Sequence, residues 1–142
     1  MIITTARKPS SKIRIFCKHL GRFTGWEYLT RGKTSLSSLT DEPFLLVGEH
    51  KGNPGSFKFF SKGRCILSIH ANVSLDNEIE AGEAPAIEGE SPLAIALGKA
   101  TGLTMGNSSK RVIHVNGRIE FIEKGVPCII LTVLAVRGEG IV

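Results

Sequence analysis

IITTARKPSSKIRIFCKHLGRFTGWEYLTRGK, residues 2–33, decides how the rest of the chain is read. Ile2 and Ile3 open a strand, and the β-branched Thr4 and Thr5 suit its pleat. Pro9 has no N–H to continue a ladder. Ser10 or Ser11 then supplies the hydroxyl that caps a helix. Ile13, Phe16, Cys17 and Leu20 recur at i, i+3, i+4 and i+7, one apolar side of that helix. Arg14, Lys18 and Arg22 recur at i, i+4 and i+8 on the other side. Like charges four residues apart repel in an isolated helix. A helix that tolerates this repulsion is matched either to solvent or to an anionic partner. A second basic cluster, Arg31-Gly32-Lys33, follows.

The charge of the whole chain favours the partner. Residues 1–70 carry twelve Lys/Arg against four Asp/Glu, and residues 71–142 carry six against nine, so the net +5 sits entirely in the first half. Such polarity points to a polyanion, nucleic acid or acidic membrane, on one face. A length of 142 residues fits one domain or two small halves sharing a core. No apolar run approaches the roughly 20 residues of a membrane span, and the N-terminus lacks a signal peptide's apolar segment. A cytoplasmic protein is expected. Cys17, Cys65 and Cys128 are far apart, form no C-x-x-C pair, and read as buried reduced thiols.

Beyond the basic stretch, Trp26, Tyr28 and Leu29 make a short strand. Thr34 or Ser35 caps a short helix with Leu36 and Leu39 facing inward. Phe44–Val47 reads as a central strand buried on both faces. Strand, helix, strand, helix, strand is an α/β pattern with a parallel component. Glu49 to Gly55 (EHKGNPG) reads as a loop beyond that strand, a place where ligands bind in open α/β sheets. Phe57–Phe60 and Cys65–Val73 flank the turn Ser61-Lys62-Gly63-Arg64. Residues 76–90 hold six acids with Gly82, Pro85 and Gly89 between them, and read as a solvated linker. Ser91-Pro92 starts a packing helix with Leu93, Ala96, Leu97 and Ala100 on one side and Gly102 as its stop. Asn116-Gly117 and Lys124-Gly125 turn a final meander. The two halves, about 1–75 and 91–142, share a layout without a residue-level repeat.

Signatures of catalysis are missing. There is no phosphate-binding glycine loop, no H-E-x-x-H and no paired-histidine spacing, so no cofactor and no metal is implied. Glu49 and His50 are adjacent, but neighbours in a strand point to opposite faces.

TTARKPS (4–10), the basic helix, YLTRGKTSL (28–36) and VGEHKGNPG (47–55), in this order, resemble the archaeal Brix-domain proteins of ribosome biogenesis. The resemblance is specific over residues 2–70 and diffuse beyond. It implies a single Brix domain over 1–142 with two similar α/β halves and mixed sheets, each half resembling the anticodon-binding domain of class IIa aminoacyl-tRNA synthetases. It also implies a non-enzymatic factor that binds rRNA or pre-rRNA to assist processing and subunit assembly. Ribosomal proteins or other assembly factors would be further partners. The family's motif cations fall on Arg7, Lys8, Arg31, Lys33 and Lys51, and the helix face adds Arg14, Lys18 and Arg22. Trp26, Tyr28, Phe57 and Phe59 are candidates to stack on bases, with most of them expected in the core. Two rival readings are a scaffold whose acidic segment docks a basic protein, and an RNA-processing enzyme built on Glu49 and His50.

Overall fold

A computed structural model describes residues 1–31, 42–106, 110–138 and 141. Among them are nine strands and two helices: β1 (Ile2–Thr5), α1 (Ser11–Thr24), β2 (Glu27–Tyr28), β3 (Phe44–His50), β4 (Asn53–Ser61), β5 (Arg64–Leu75), β6 (Ala86–Glu88), α2 (Pro92–Thr101), β7 (Arg111–Asn116), β8 (Arg118–Glu123) and β9 (Val126–Gly138). The short helix expected around Leu36 and Leu39, and the expected site residue Lys33, lie outside the described residues.

The first helix forms as its sequence dictates. Ser10 is the N-cap, its hydroxyl accepting from the Ile13 N–H, and Gly25, at φ 79°, ends it. Ile13, Phe16, Cys17, Leu20 and Phe23 are buried, whereas Arg14, Lys18 and Arg22 are exposed. Phe16 meets Phe57 of β4 with ring centroids 5.4 Å apart. Burying such a ring contributes about 1.5–3 kcal/mol. The second helix repeats the grammar: Ser91 caps it, Pro92 enters it and Gly102 closes it at φ 72°. Its buried stripe is Ala94, Leu97 and Ala100, with Leu93 and Ala96 only half-buried, so the helix is rotated from the expected face.

All nine strands join one sheet in the order β2-β1-β3-β4-β5-β9-β8-β7-β6. The mixed α/β class expected from the sequence is present, and the mixed sheets expected of the two halves are joined into one. In the first half β1 pairs parallel with β3, which continues into the antiparallel meander β3-β4-β5. In the second, β6 pairs parallel with β7, which continues into β7-β8-β9. A helix follows the first strand of each half, and the halves meet where β5 pairs antiparallel with β9. One core holds side chains from both halves, among them Phe16, Val47, Leu67, Leu97, Ile119 and Ile129.

Three expectations are corrected by this arrangement. Residues 49–55 are not an open loop after a strand: Glu49 and His50 belong to β3, Asn53 and Pro54 to β4, and only Lys51 and Gly52 turn between them. Both turn residues have positive φ (53° and 80°), as the right-handed twist of a hairpin requires. The acidic stretch is not a simple solvated linker, because Ile79 and Ile87 are core residues and 86–88 form the edge strand β6. Finally, Cys65 is exposed, and only Cys17 and Cys128 are buried.

Burial pushes the Cys17 thiol up from its ordinary 9.0 to about 12. The folded chain holds that proton where the unfolded chain releases it. This contribution is intact below about pH 9 and lost as the pH rises from there toward 12, by about 1.4 kcal/mol per pH unit. Urea unfolding across that range should show a shallower alkaline decline in Cys17→Ala than in the parent. Parallel declines would mean that water reaches the thiol.

Candidate nucleic-acid interface

The end of β1 and the start of α1 build the basic surface. Thr5, fully buried, turns its hydroxyl onto the Ala6 carbonyl (2.7 Å), and the exposed Ala6, Arg7 and Lys8 follow. The Arg31 guanidinium donates to the Thr5 carbonyl at 3.2 Å, which fastens the segment after β2 to the end of β1. Between these pieces and the flank of α1 lies a surface hollow of about 450 Å³, lined by Thr5, Arg7, Pro9, Arg14, Lys18, Tyr28, Thr30 and Arg31. Among the described residues, four cations line it and no carboxylate does. Tyr28 is half-buried, and its hydroxyl oxygen is shut off from solvent beside Thr5. Burial pushes that phenol up, with the Arg14 guanidinium pulling the other way.

The structure thus brings Arg7, Arg14, Lys18 and Arg31 together, and it does not bring the other candidates to them. Lys8 turns away from Arg7 into a second hollow beside Val47, Gly48 and Glu49. Arg22 is exposed in the last turn of α1, where a cation complements the helix dipole, and it does not line the basic hollow. Lys51 sits at the exposed tip of the β3–β4 turn, in a hollow with His50, Asn53, Pro54 and residues 71–73.

That turn is tied to the start of α1. The Glu49 carboxylate accepts from the Ser10 N–H (2.9 Å), and Lys12 Nζ donates to Asn53 Oδ1 (3.2 Å). Glu49 and Asn53 therefore have a positioning role here: they seat the N-terminus of the basic helix. Glu49 and His50 line different hollows, so they do not converge as a general acid–base pair would have to. Among the described residues no three His, Cys, Asp or Glu side chains gather as a metal site. Nor is any described helix long and apolar enough to cross a membrane. Of the candidate aromatics, Phe57 and Phe59 are core, Trp26 packs on the core half-buried, and Tyr28 alone reaches the basic hollow.

Arg111 is legible in the sequence only as the first residue of a strand, and it holds the two halves together. Its side chain is 3% exposed. Nη1 donates to the carbonyls of Arg22 (2.7 Å) and Phe23 (2.9 Å), at the C-terminal end of α1. Nη2 donates to the Glu80 carbonyl and to Glu123 Oε1, the latter at 3.1 Å. The guanidinium carbon also lies 5.3 Å from the Phe23 ring centroid. A Cβ on Gly82 would come within 2.9 Å of the same guanidinium, so the acidic stretch folds closely over it.

The fold and the hollow define a class: a two-half α/β protein on one mixed sheet, with a cationic cleft beside its first helix. No family model matches the chain. It is 38% identical over 106 residues to a Methanosarcina mazei protein named "Probable Brix domain-containing ribosomal biogenesis protein", the match covering 68% of each chain. A protein of the same name from Archaeoglobus fulgidus is 38% identical over 95 residues, 65% of this chain and 62% of that one. Among solved structures, the archaeal Imp4-like protein Mil superposes with a TM-score of 0.82 at 29% identity, over 97% of this chain and 99% of Mil. A protein from Aeropyrum pernix K1 described as a "probable ribosomal biogenesis protein" superposes with a TM-score of 0.70 at 27% identity, over 92% of each chain. The chain belongs to the family of Brix domain-containing ribosomal biogenesis proteins.

Proposed function

We propose that this chain is a non-enzymatic, cytoplasmic RNA-binding factor of ribosome biogenesis, a single Brix domain that binds rRNA or its precursor during subunit assembly. The observation that carries the reading is the convergence of Arg7, Arg14, Lys18 and Arg31 on one hollow. Lys and Arg there neutralise phosphates and release counterions, and Arg adds forked donors that match phosphate geometry. The hydroxyl of the exposed Thr30 adds a neutral partner for phosphate or sugar oxygens. The names of the relatives and the like layout of the two halves support the reading. In it, each half is an anticodon-binding-like module, and the first carries the RNA contact.

Ultraviolet crosslinking of the protein to RNA in its own cells, with sequencing of the trapped fragments, tests this. Reads concentrated in rRNA and its precursors are expected. Reads spread over messenger RNA, or none above background, would overturn it.

Deleting residues 76–90 would not test the scaffold reading cleanly. That stretch contributes Ile79 to the core and a carbonyl to Arg111, so its deletion would damage the fold. Reversing the exposed Glu78 and Glu83 to Lys asks the same question of an intact protein.

A further inference from the structure

Among the described residues both helices pack on one face of the sheet, and the other face carries cationic rows across β3, β4, β5 and β9. In β4, Phe57 and Phe59 face the core, which turns Ser56, Lys58 and Phe60 to the opposite face. In β5, Leu67 and Ile69 face the core and Ser68 and His70 face away. The pairing then aligns two rows across four strands. One reads Leu46, Lys58, Ser68, Arg137, and the next Gly48, Ser56, His70, Ala135. Strands lie about 4.8 Å apart, so Lys58 and Arg137 flank Ser68 at roughly 10 Å from one another at Cα. His70 lies diagonally from both, at roughly 7–8 Å. None of these eight positions is acidic, and Arg137 and His70 are exposed. In the row beyond Lys58, Phe60 stacks on Phe44, with centroids 4.7 Å apart and planes 7° from parallel. Phe60, half-buried, covers Phe44 and is the ring of the pair that reaches the surface.

We propose that this face, around Lys58, Ser68, His70, Arg137 and Phe60, is a second contact for RNA and takes an unpaired segment. Two cations, an imidazole and the hydroxyls of Ser56 and Ser68 on one pleated face fit a phosphate–sugar backbone, and the rim of Phe60 offers a surface for a base. A duplex is the poorer fit, because its bases are already stacked on each other. The proposal rests on the reading of the chain as an RNA binder and adds a face that the basic helix does not touch.

The test uses the full chain and a labelled oligouridylate of roughly 20 nucleotides, long enough to span a groove-sized site. Lys58→Gln/Arg137→Gln is compared with the parent by anisotropy from low to physiological salt. Withdrawing two cations from the phosphates should weaken binding and flatten the log–log salt slope by roughly 1.4. Photocrosslinking of the parent to the same oligomer, read by mass spectrometry, should place adducts within 56–70 and so decides the matter even if the double variant misfolds. An unchanged slope in a folded double variant, or adducts confined to 7–31, overturns the second face and leaves the helix site standing. A parent that does not bind the oligomer at all overturns both.

Discussion

Arg111→Met is expected to lower the free energy of unfolding by roughly 3–5 kcal/mol, a large share of what a domain of this size possesses. The guanidinium serves four acceptors drawn from α1, β8 and the acidic stretch. The Arg22 and Phe23 carbonyls belong to the last turn of α1, where no intrahelical donor is available. Methionine fills much of the volume and leaves those carbonyls, the Glu80 carbonyl and the Glu123 carboxylate without their donor. Each unsatisfied buried group costs about 1–3 kcal/mol. Glu123→Gln retains an acceptor and removes only the charge, so it should cost about 1 kcal/mol. Urea titrations of both variants check the ranking. A loss below about 1 kcal/mol for Arg111→Met would mean that water reaches the end of α1 and that the halves do not depend on this contact.

What the sequence discloses and what it conceals divide by range. The Ser10 cap, the buried stripe of α1, the Ser91-Pro92 entry to α2 and the turns at Lys62-Gly63 and Lys124-Gly125 are signals written within a few residues, and each appears in the structure. The Lys51-Gly52 turn uses the same Lys-Gly chemistry, but Pro54 close behind it suggests irregular backbone and hides the hairpin. That proline is accommodated at the second residue of β4. Strand β6 has three residues among acids, too few for a period, and it is fixed by its parallel pairing with β7. The role of Arg111 is opaque in the sequence because its partners lie 12 to 89 positions away. For the candidate site, cation identity is legible and direction is not. Arg7 and Lys8 are adjacent in sequence and line different hollows, and Arg22 shares a helix face with Arg14 and Lys18 but sits at the far end of the helix.

The other large effect belongs to the basic hollow. Arg7, Arg14 and Lys18 line it and are exposed, so Arg7→Gln/Arg14→Gln/Lys18→Gln should leave folding nearly unchanged, because exposed cations of one sign contribute little to stability. Arg31 is left in place because it also fastens β1 through the Thr5 carbonyl. Each cation withdrawn from the phosphates of a single strand takes about 0.7 off the log–log salt slope, so three take off roughly 2. Arg22→Gln, on the same helix but outside the hollow, should shift the slope far less. The decisive measurement is the salt dependence of binding to a single-stranded rRNA fragment, by anisotropy, for the parent, the triple variant and Arg22→Gln. A slope flatter by about 2 in the folded triple variant alone is the predicted result. Equal slopes in all three proteins would contradict the assignment of this hollow as the RNA site.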